Sequence, residues 1–195
     1  MAKLTRSNLM TLEAYAKARN AIRTEVMAHK RNRNVMLGEH LTLIFEDETT
    51  MRYQVQEMLR AEKIFEEAGI QEELDTYNPL IPDGSNWKAT MMIEYEDIDE
   101  RRRMLAQLLG IEDRIWVKVA GHERVFAIAD EDLERANEQK TSAVHFLRFE
   151  LTAEMARALK QDADLSMGVD HPNYQAHLDR VPQAVRTSLR CDLLD

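Results

Sequence analysis

Residues 53–95 read YQVQEMLRAEKIFEEAGIQEELDTYNPLIPDGSNWKATMMIEY, and the fold turns on how this stretch divides. Apolar residues recur at helical spacing at Met51, Val55, Met58 and Phe65, with Leu59 and Ile64 on the flanks, which predicts a helix from Met51 to Ala68. Asn78-Pro79 and Pro82-Asp83-Gly84-Ser85-Asn86 then signal turns: proline pre-sets φ and Gly84 can take positive φ. Leu80 and Ile81, between the two signals, predict a loop pinned to the core. Trp87 opens a strand to Tyr95, with Ala89, Met91, Ile93 and Tyr95 on one face and Lys88, Thr90, Met92 and Glu94 on the other. A helix, an ordered loop and an alternating strand in succession argue for an α+β chain.

Glu62 falls inside the apolar stripe of this helix, while Glu57, Glu66 and Glu67 read as a solvated face. A carboxylate in a stripe is partly desolvated and needs a cation, a metal or a proton. The plain reading is an ion pair formed for packing reasons. An earlier helix, from about Asn8 to Lys30, carries the complementary irregularity. Leu12, Tyr15, Ile22, Val26 and His29 line its stripe, and Arg19 stands among them. Pairing Arg19 with Glu62 across two packed helices would satisfy both charges. A candidate pocket follows at that interface, closed by the ordered loop: Arg19, Glu62, Asn78, Asp83, Asn86 and Trp87.

Outward from this centre, the basic run His29-Lys30-Arg31-Asn32-Arg33 complements a helix C-terminus, and Leu37-Gly38 is a break. Leu41–Phe45 alternates as a short strand. Asp97 or Asp99 caps a helix through Met104, Leu105 and Leu108, stopped by Gly110. Arg114–Val119 and Arg124–Ala129 read as a hairpin about Gly121-His122, followed by a short polar helix near residues 130–139. Ser142–Leu151 is a further strand with Arg148 and Glu150 as neighbours on one face. Thr152 caps a helix, Asp164–Val169 is a short strand, and Pro182 starts a closing helix.

Metal ligation is a weaker theme. Glu25 and His29 are four apart on one helical face, an arrangement that binds metal but more often forms a surface pair. Glu66, His145 and His171 complete the candidate ligands. His145 lies on the apolar side of its strand, where a satisfied core histidine is the common case. Asp170 and His171 could exchange protons, but precede Pro172 in a turn-like segment.

Composition bounds the function. A net charge of −9 with 31% charged residues argues against nucleic acid and anionic membrane as partners. The single cysteine, Cys191, forbids an internal disulfide and any multi-cysteine metal site. No apolar run approaches the ~20 residues of a membrane helix, and no secretory signal is visible; a cytoplasmic location is expected. Phosphate-binding glycine loops, nucleophile elbows and Glu-x-x-His pairs are missing from the sequence, so whether the chain is an enzyme, and with what cofactor, stays open.

The central run through Asp97, with SAVHFLRFEL (142–151) and GVDHPNY (168–174), resembles an uncharacterised bacterial family defined as a domain of unknown function. The segment from Met10 to Arg19 fits it as well, so the likeness spans nearly the whole chain. Genes of that family often neighbour those of a rubrerythrin-like protein and a cysteine-rich iron–sulfur protein. The resemblance therefore implies a cytosolic accessory role in redox or peroxide defence, with such a protein as partner. It supplies no catalytic residues.

Two function classes follow: a binding or accessory protein with a redox partner, and a metal-assisted enzyme using helix carboxylates and histidines. The expected architecture is one α+β domain over residues 1–195, with a mainly antiparallel sheet of about five strands and helices packed on one face. Two small lobes meeting near residue 97 are the alternative.

Overall fold

The computed structural model describes residues 3–131, 135 and 139–194. In chain order the elements are α1 (Leu12–Arg31), β1 (Asn34–Leu37), β2 (Leu41–Glu46), α2 (Glu48–Glu62), α3 (Glu67–Tyr77), β3 (Asn86–Ile93) and α4 (Ile98–Gln107). There follow β4 (Ile115–Val119), β5 (Arg124–Phe126), β6 (Ile128–Ala129), β7 (Val144–Glu150), α5 (Ala153–Lys160), β8 (Leu165–His171), β9 (Tyr174–Leu178) and α6 (Gln183–Arg190). The fold is α+β, as expected. A five-stranded antiparallel sheet has the order β1-β2-β3-β7-β6, and a second, four-stranded antiparallel sheet has the order β5-β4-β8-β9.

Three departures from the sequence reading have local causes. The helix expected over Met51–Ala68 is two helices. Lys63 adopts the left-handed conformation (φ 56°) and closes α2, and the chain folds back so that Ile64 packs beside Leu59, Ile70 and Leu74. The return strand after Gly121 is divided: β5 pairs with β4 in one sheet, and β6 pairs with β7 in the other. Buried Ala127 is the crossing point, its amide donating to Ile115 O at 2.9 Å. Strands β1 and β9 had no clear signal because they are short: β1 has four residues and buries only Val35 and Leu37, and β9 has five, none fully buried. The polar helix expected near residues 130–139 falls mostly outside the described residues.

One hydrophobic core joins the inner faces of both sheets to α4, α5 and α6, and it draws on residues both before and after residue 97. Trp87 is its largest fully buried side chain. Its indole Nε1 donates to Leu189 O at 3.0 Å, and Phe45 meets it edge-on with centroids 6.1 Å apart. A smaller cluster joins the N-terminal residues Leu4 and Leu9 to α2 and α3 through Met51, Val55, Leu59, Ile70, Leu74 and Ile81.

The basic run after α1 does more than face a dipole. Arg33 is 1% exposed. Its guanidinium donates to Phe45 O, Glu46 O, Ser188 Oγ and, at 2.5 Å, to Asp192 Oδ2. A single buried fork thus ties β2 to the C-terminal segment.

Candidate functional site

Helices α1 and α2 pack side by side, and between them lies a groove of about 440 Å³ lined by Tyr15, Ile22, Val26, His29, Arg52, Tyr53 and Gln56, among others. The reason is in how α2 is buried. Met51, Val55 and Leu59, four apart, face the smaller core. Tyr53 and Gln56 are also buried, on the side toward α1. The helix therefore has two covered faces, and the second makes one wall of the groove. Met10 and Asn8, from the segment before α1, contribute to its lining.

Gln56 is 3% exposed. Its Oε1 accepts from Met10 N at 2.6 Å, which orients the amide. Its Nε2 has no hydrogen-bond partner among the described residues. A buried donor without an acceptor is costly, and native proteins carry few of them.

Next to the groove-lining Tyr15 stands a bidentate charged pair joining α1 and α2. Arg19 Nε and Nη2 donate to the two oxygens of Glu57 at 2.8 and 2.7 Å, and Tyr15 Oη donates to Glu57 Oε1 at 2.8 Å. The Arg19 hydrogen bonds hold the Glu57 carboxyl at about 2, against burial, with help from Tyr15 and Arg60. Burial, then the bond to Glu57, pushes the Tyr15 hydroxyl well up. The partner of Arg19 is thus Glu57 and not Glu62. Glu62, at the end of α2, is exposed and, after burial, adds to the upward shift of the Glu73 carboxyl. The expected stripe ran on through Phe65, which shifted the assignment of faces by part of a turn. Phe65 is 69% exposed.

The remaining pocket candidates do not join Arg19. Asn78 clamps the N-terminal segment, donating to Leu4 O and accepting from Leu4 N. Asp83 Oδ1 accepts from Ser85 N and Oγ within its own turn, and faces a separate cavity of about 590 Å³ with Leu151, Ala156, Arg157 and Leu194. Asn86 is buried and donates to Glu150 Oε1 at 2.8 Å. Trp87 belongs to the main core. The loop is ordered and pinned as expected, with Ile81 buried, but it closes a different part of the molecule from the α1–α2 groove.

Of the metal candidates, Glu25 and His29 both line the groove, but His29 Nε2 is 2.6 Å from Asp47 Oδ2. Glu66 is exposed at the start of α3, with no side-chain cap. His171 is a satisfied histidine at the end of β8: Nε2 lies 3.0 Å from Leu109 O, and Nδ1 accepts from Asn173 N. His145 is different. Fully buried on β7, it meets Asp130 and Glu112, and ligand-capable atoms of these three lie within 4.8 Å of one another. Asp130 Oδ2 is 2.5 Å from Nδ1, whereas Thr141 Oγ1, Ser142 O and Glu112 Oε2 lie 2.8, 3.1 and 3.8 Å from Nε2. Among the described residues this is the one group of three or more potential ligands. Glu112 and Asp130 escaped the sequence reading because they come from a 3₁₀ turn (Ile111–Arg114) and from the residue after β6, distant in sequence from His145 and from each other.

Fold and site together define an α+β protein of two antiparallel sheets, with a donor-lined groove in its helical layer. The family described as protein of unknown function DUF3501 matches residues 3–193, and the chain belongs to it. A crystal structure of a protein of unknown function from Burkholderia pseudomallei is similar throughout: 57% identical in sequence, TM-score 0.94, covering 98% of this chain and 100% of that one. Comparison with curated proteins finds none that matches.

Proposed function

We propose that the chain is a binding and accessory protein of a redox or peroxide-defence system, with the α1–α2 groove as its recognition surface. The observation that carries the binding role is the groove itself. It has the volume of a small-ligand or side-chain site, an apolar body from Ile22, Val26 and the two tyrosines, and a buried amide donor at Gln56. A strongly shifted Tyr15–Glu57–Arg19 network stands beside it, and such networks concentrate at functional sites. The redox context rests on the resemblance alone, which implies a rubrerythrin-like or iron–sulfur protein as partner. A cytoplasmic location is part of the same reading; no helix of the described residues is long and apolar enough to cross a membrane.

Calorimetric titration of the full chain with each purified partner tests this. Tyr53→Ala and Arg52→Glu should weaken binding tenfold or more, and Asp83→Asn, outside the groove, should leave it unchanged. Absence of binding to both partners, or indifference to the groove variants, overturns the proposal.

The second reading, a metal-assisted enzyme, is favoured by the Glu112–Asp130–His145 group. Its weakness is access, since His145 and Thr141 are at most 1% exposed and Glu112 only 8%. Catalytic metal sites keep an open coordination position.

A further inference from the structure

We propose that Glu112, Thr141 and His145 form a structural binding site for a divalent first-row metal ion, with Asp130 as the group that orients the histidine. The site stands apart from the α1–α2 groove and does not depend on the function assigned there.

Donor spacing is the first argument. His145 Nε2, Glu112 Oε2 and Thr141 Oγ1 are separated by 3.8 Å (Nε2 to Oε2), 2.8 Å (Nε2 to Oγ1) and 3.1 Å (Oγ1 to Oε2). Ser142 O is a further oxygen, 3.1 Å from Nε2. Donors sharing one ion at about 2.1 Å sit roughly 3.0–3.4 Å from one another. Small adjustments of the Glu112 and Thr141 side chains bring this set onto one ion.

The second argument is the other side of the ring. Asp130 Oδ2 lies 2.5 Å from Nδ1, which commits Nδ1 to a proton and leaves Nε2 as the ligating atom. Asp130 is itself held: its Oδ1 accepts from Phe146 N at 3.0 Å and lies 3.3 Å from Arg135 Nε. Its backbone stands at φ 47°, a conformation uncommon for a non-glycine residue. A carboxylate, an imidazole and a metal in line is the arrangement that tunes and orients histidine ligands.

Burial is the third. Two carboxylates and an imidazole occupy one end of the main core, where apolar side chains of similar volume would be cheaper to place. One nitrogen with hard oxygens suits Mn2+ or Zn2+ rather than a soft ion. The ion would join the 3₁₀ turn after α4 to both ends of the β6–β7 connection. Because its ligands are buried, with Glu112 only 8% and His145 0% exposed, its role is to staple these segments rather than to catalyse.

The test uses the full, untagged chain after dialysis against a chelator, titrated separately with Zn2+ and Mn2+ by calorimetry, with the bound metal counted by elemental analysis. One ion per chain is expected, and an unfolding midpoint that rises with metal concentration. Glu112→Gln keeps the shape and the Thr141 contact but should weaken binding at least tenfold and abolish the midpoint shift. Asp130→Asn, a positioning change, should weaken binding about 10- to 100-fold. The Mn2+ electron paramagnetic resonance spectrum supplies a readout independent of stability: the bound-ion signal of the wild type should be lost in Glu112→Gln. No stoichiometric binding of either ion overturns the proposal and leaves a metal-free ion cluster. Binding that survives Glu112→Gln unchanged overturns it too, because the ion is then elsewhere.

Discussion

Arg19 and Glu57 meet fork to fork between α1 and α2, with both carboxylate oxygens engaged at 2.8 and 2.7 Å. The pair is partly sheltered, with 29% and 19% of the respective side chains exposed, and Tyr15 completes it. A bidentate guanidinium–carboxylate contact in this setting is worth more than a surface ion pair.

Its pH signature follows from the shift. Glu57 lies at about 2 in the folded chain against an ordinary 4.5. A carboxyl held down by folding contributes stability that is fully present above the ordinary value and lost as pH falls from 4.5 toward 2. After allowance for solvent screening the contribution is about 1–2 kcal/mol. Glu57→Gln should lose that amount at pH 7 in denaturant unfolding. Its stability should also change less than the wild type's between pH 4.5 and pH 2. Equal acid limbs for the two proteins would show that Glu57 is not the group responsible.

Arg33 should be among the least replaceable charged residues. Arg33→Met strands Asp192 and leaves the carbonyls of Phe45 and Glu46 without their guanidinium donor, at a cost of about 3–5 kcal/mol. Burial already pushes the Asp192 carboxyl up to about 6 against the pull of Arg33. A carboxyl raised by burial penalises the fold above its folded value, and the penalty is relieved as pH falls toward the ordinary value. Without Arg33 the penalty grows, so the variant should regain stability from pH 7 to pH 5 more steeply than the wild type. A flat difference between the two across that window would contradict this account.

Gly84 stands at φ 108°, and a Cβ built there runs into the Leu194 side chain. Its carbonyl also accepts from Leu194 N at 2.9 Å. Gly84→Val should therefore destabilise by more than about 1 kcal/mol through backbone strain alone. A thermal shift no larger than that of an ordinary surface substitution would show that the turn does not require a left-handed residue.

Lys63 gives a prediction of opposite sign. It holds the left-handed position that ends α2, where glycine is the preferred residue. Lys63→Gly should stabilise by about 0.5–1 kcal/mol, the order of the cost of this conformation for a residue with a Cβ. Destabilisation on chemical unfolding would argue that the Lys63 side chain makes a contact worth more than the strain.

Much of the architecture was legible in the chain because local physics decides it. Asp97 and Thr152 cap their helices through the side chain, and Pro182 stands at the start of α6, where its fixed φ suits a helix entry. The alternation of Trp87–Tyr95 and Ser142–Leu151 matches adjacent strands whose inward residues are buried. The loop from Asn78 to Asn86 is ordered for the reason its sequence suggests: Ile81 is buried and Gly84 has positive φ. That a partly sheltered charge on α1 needs a carboxylate on the central helix was also visible in Arg19.

What tertiary structure alone decided is which carboxylate, and which residues come together. Glu57 and Glu62 are both on α2, and which face of that helix meets α1 selects between them. The division at Lys63 depends on Ile64 folding back against α2 and α3, and the transfer of the chain between sheets at Ala127 depends on its burial in the main core by residues far away in sequence. The Glu112–Asp130–His145 group draws on three segments spread over more than thirty residues, and the Arg33–Asp192 contact on the two ends of the chain. Periodicity and spacing report what a residue does among its neighbours along the chain. Contacts closed by long loops are set by the packing of whole elements, and no local pattern encodes them.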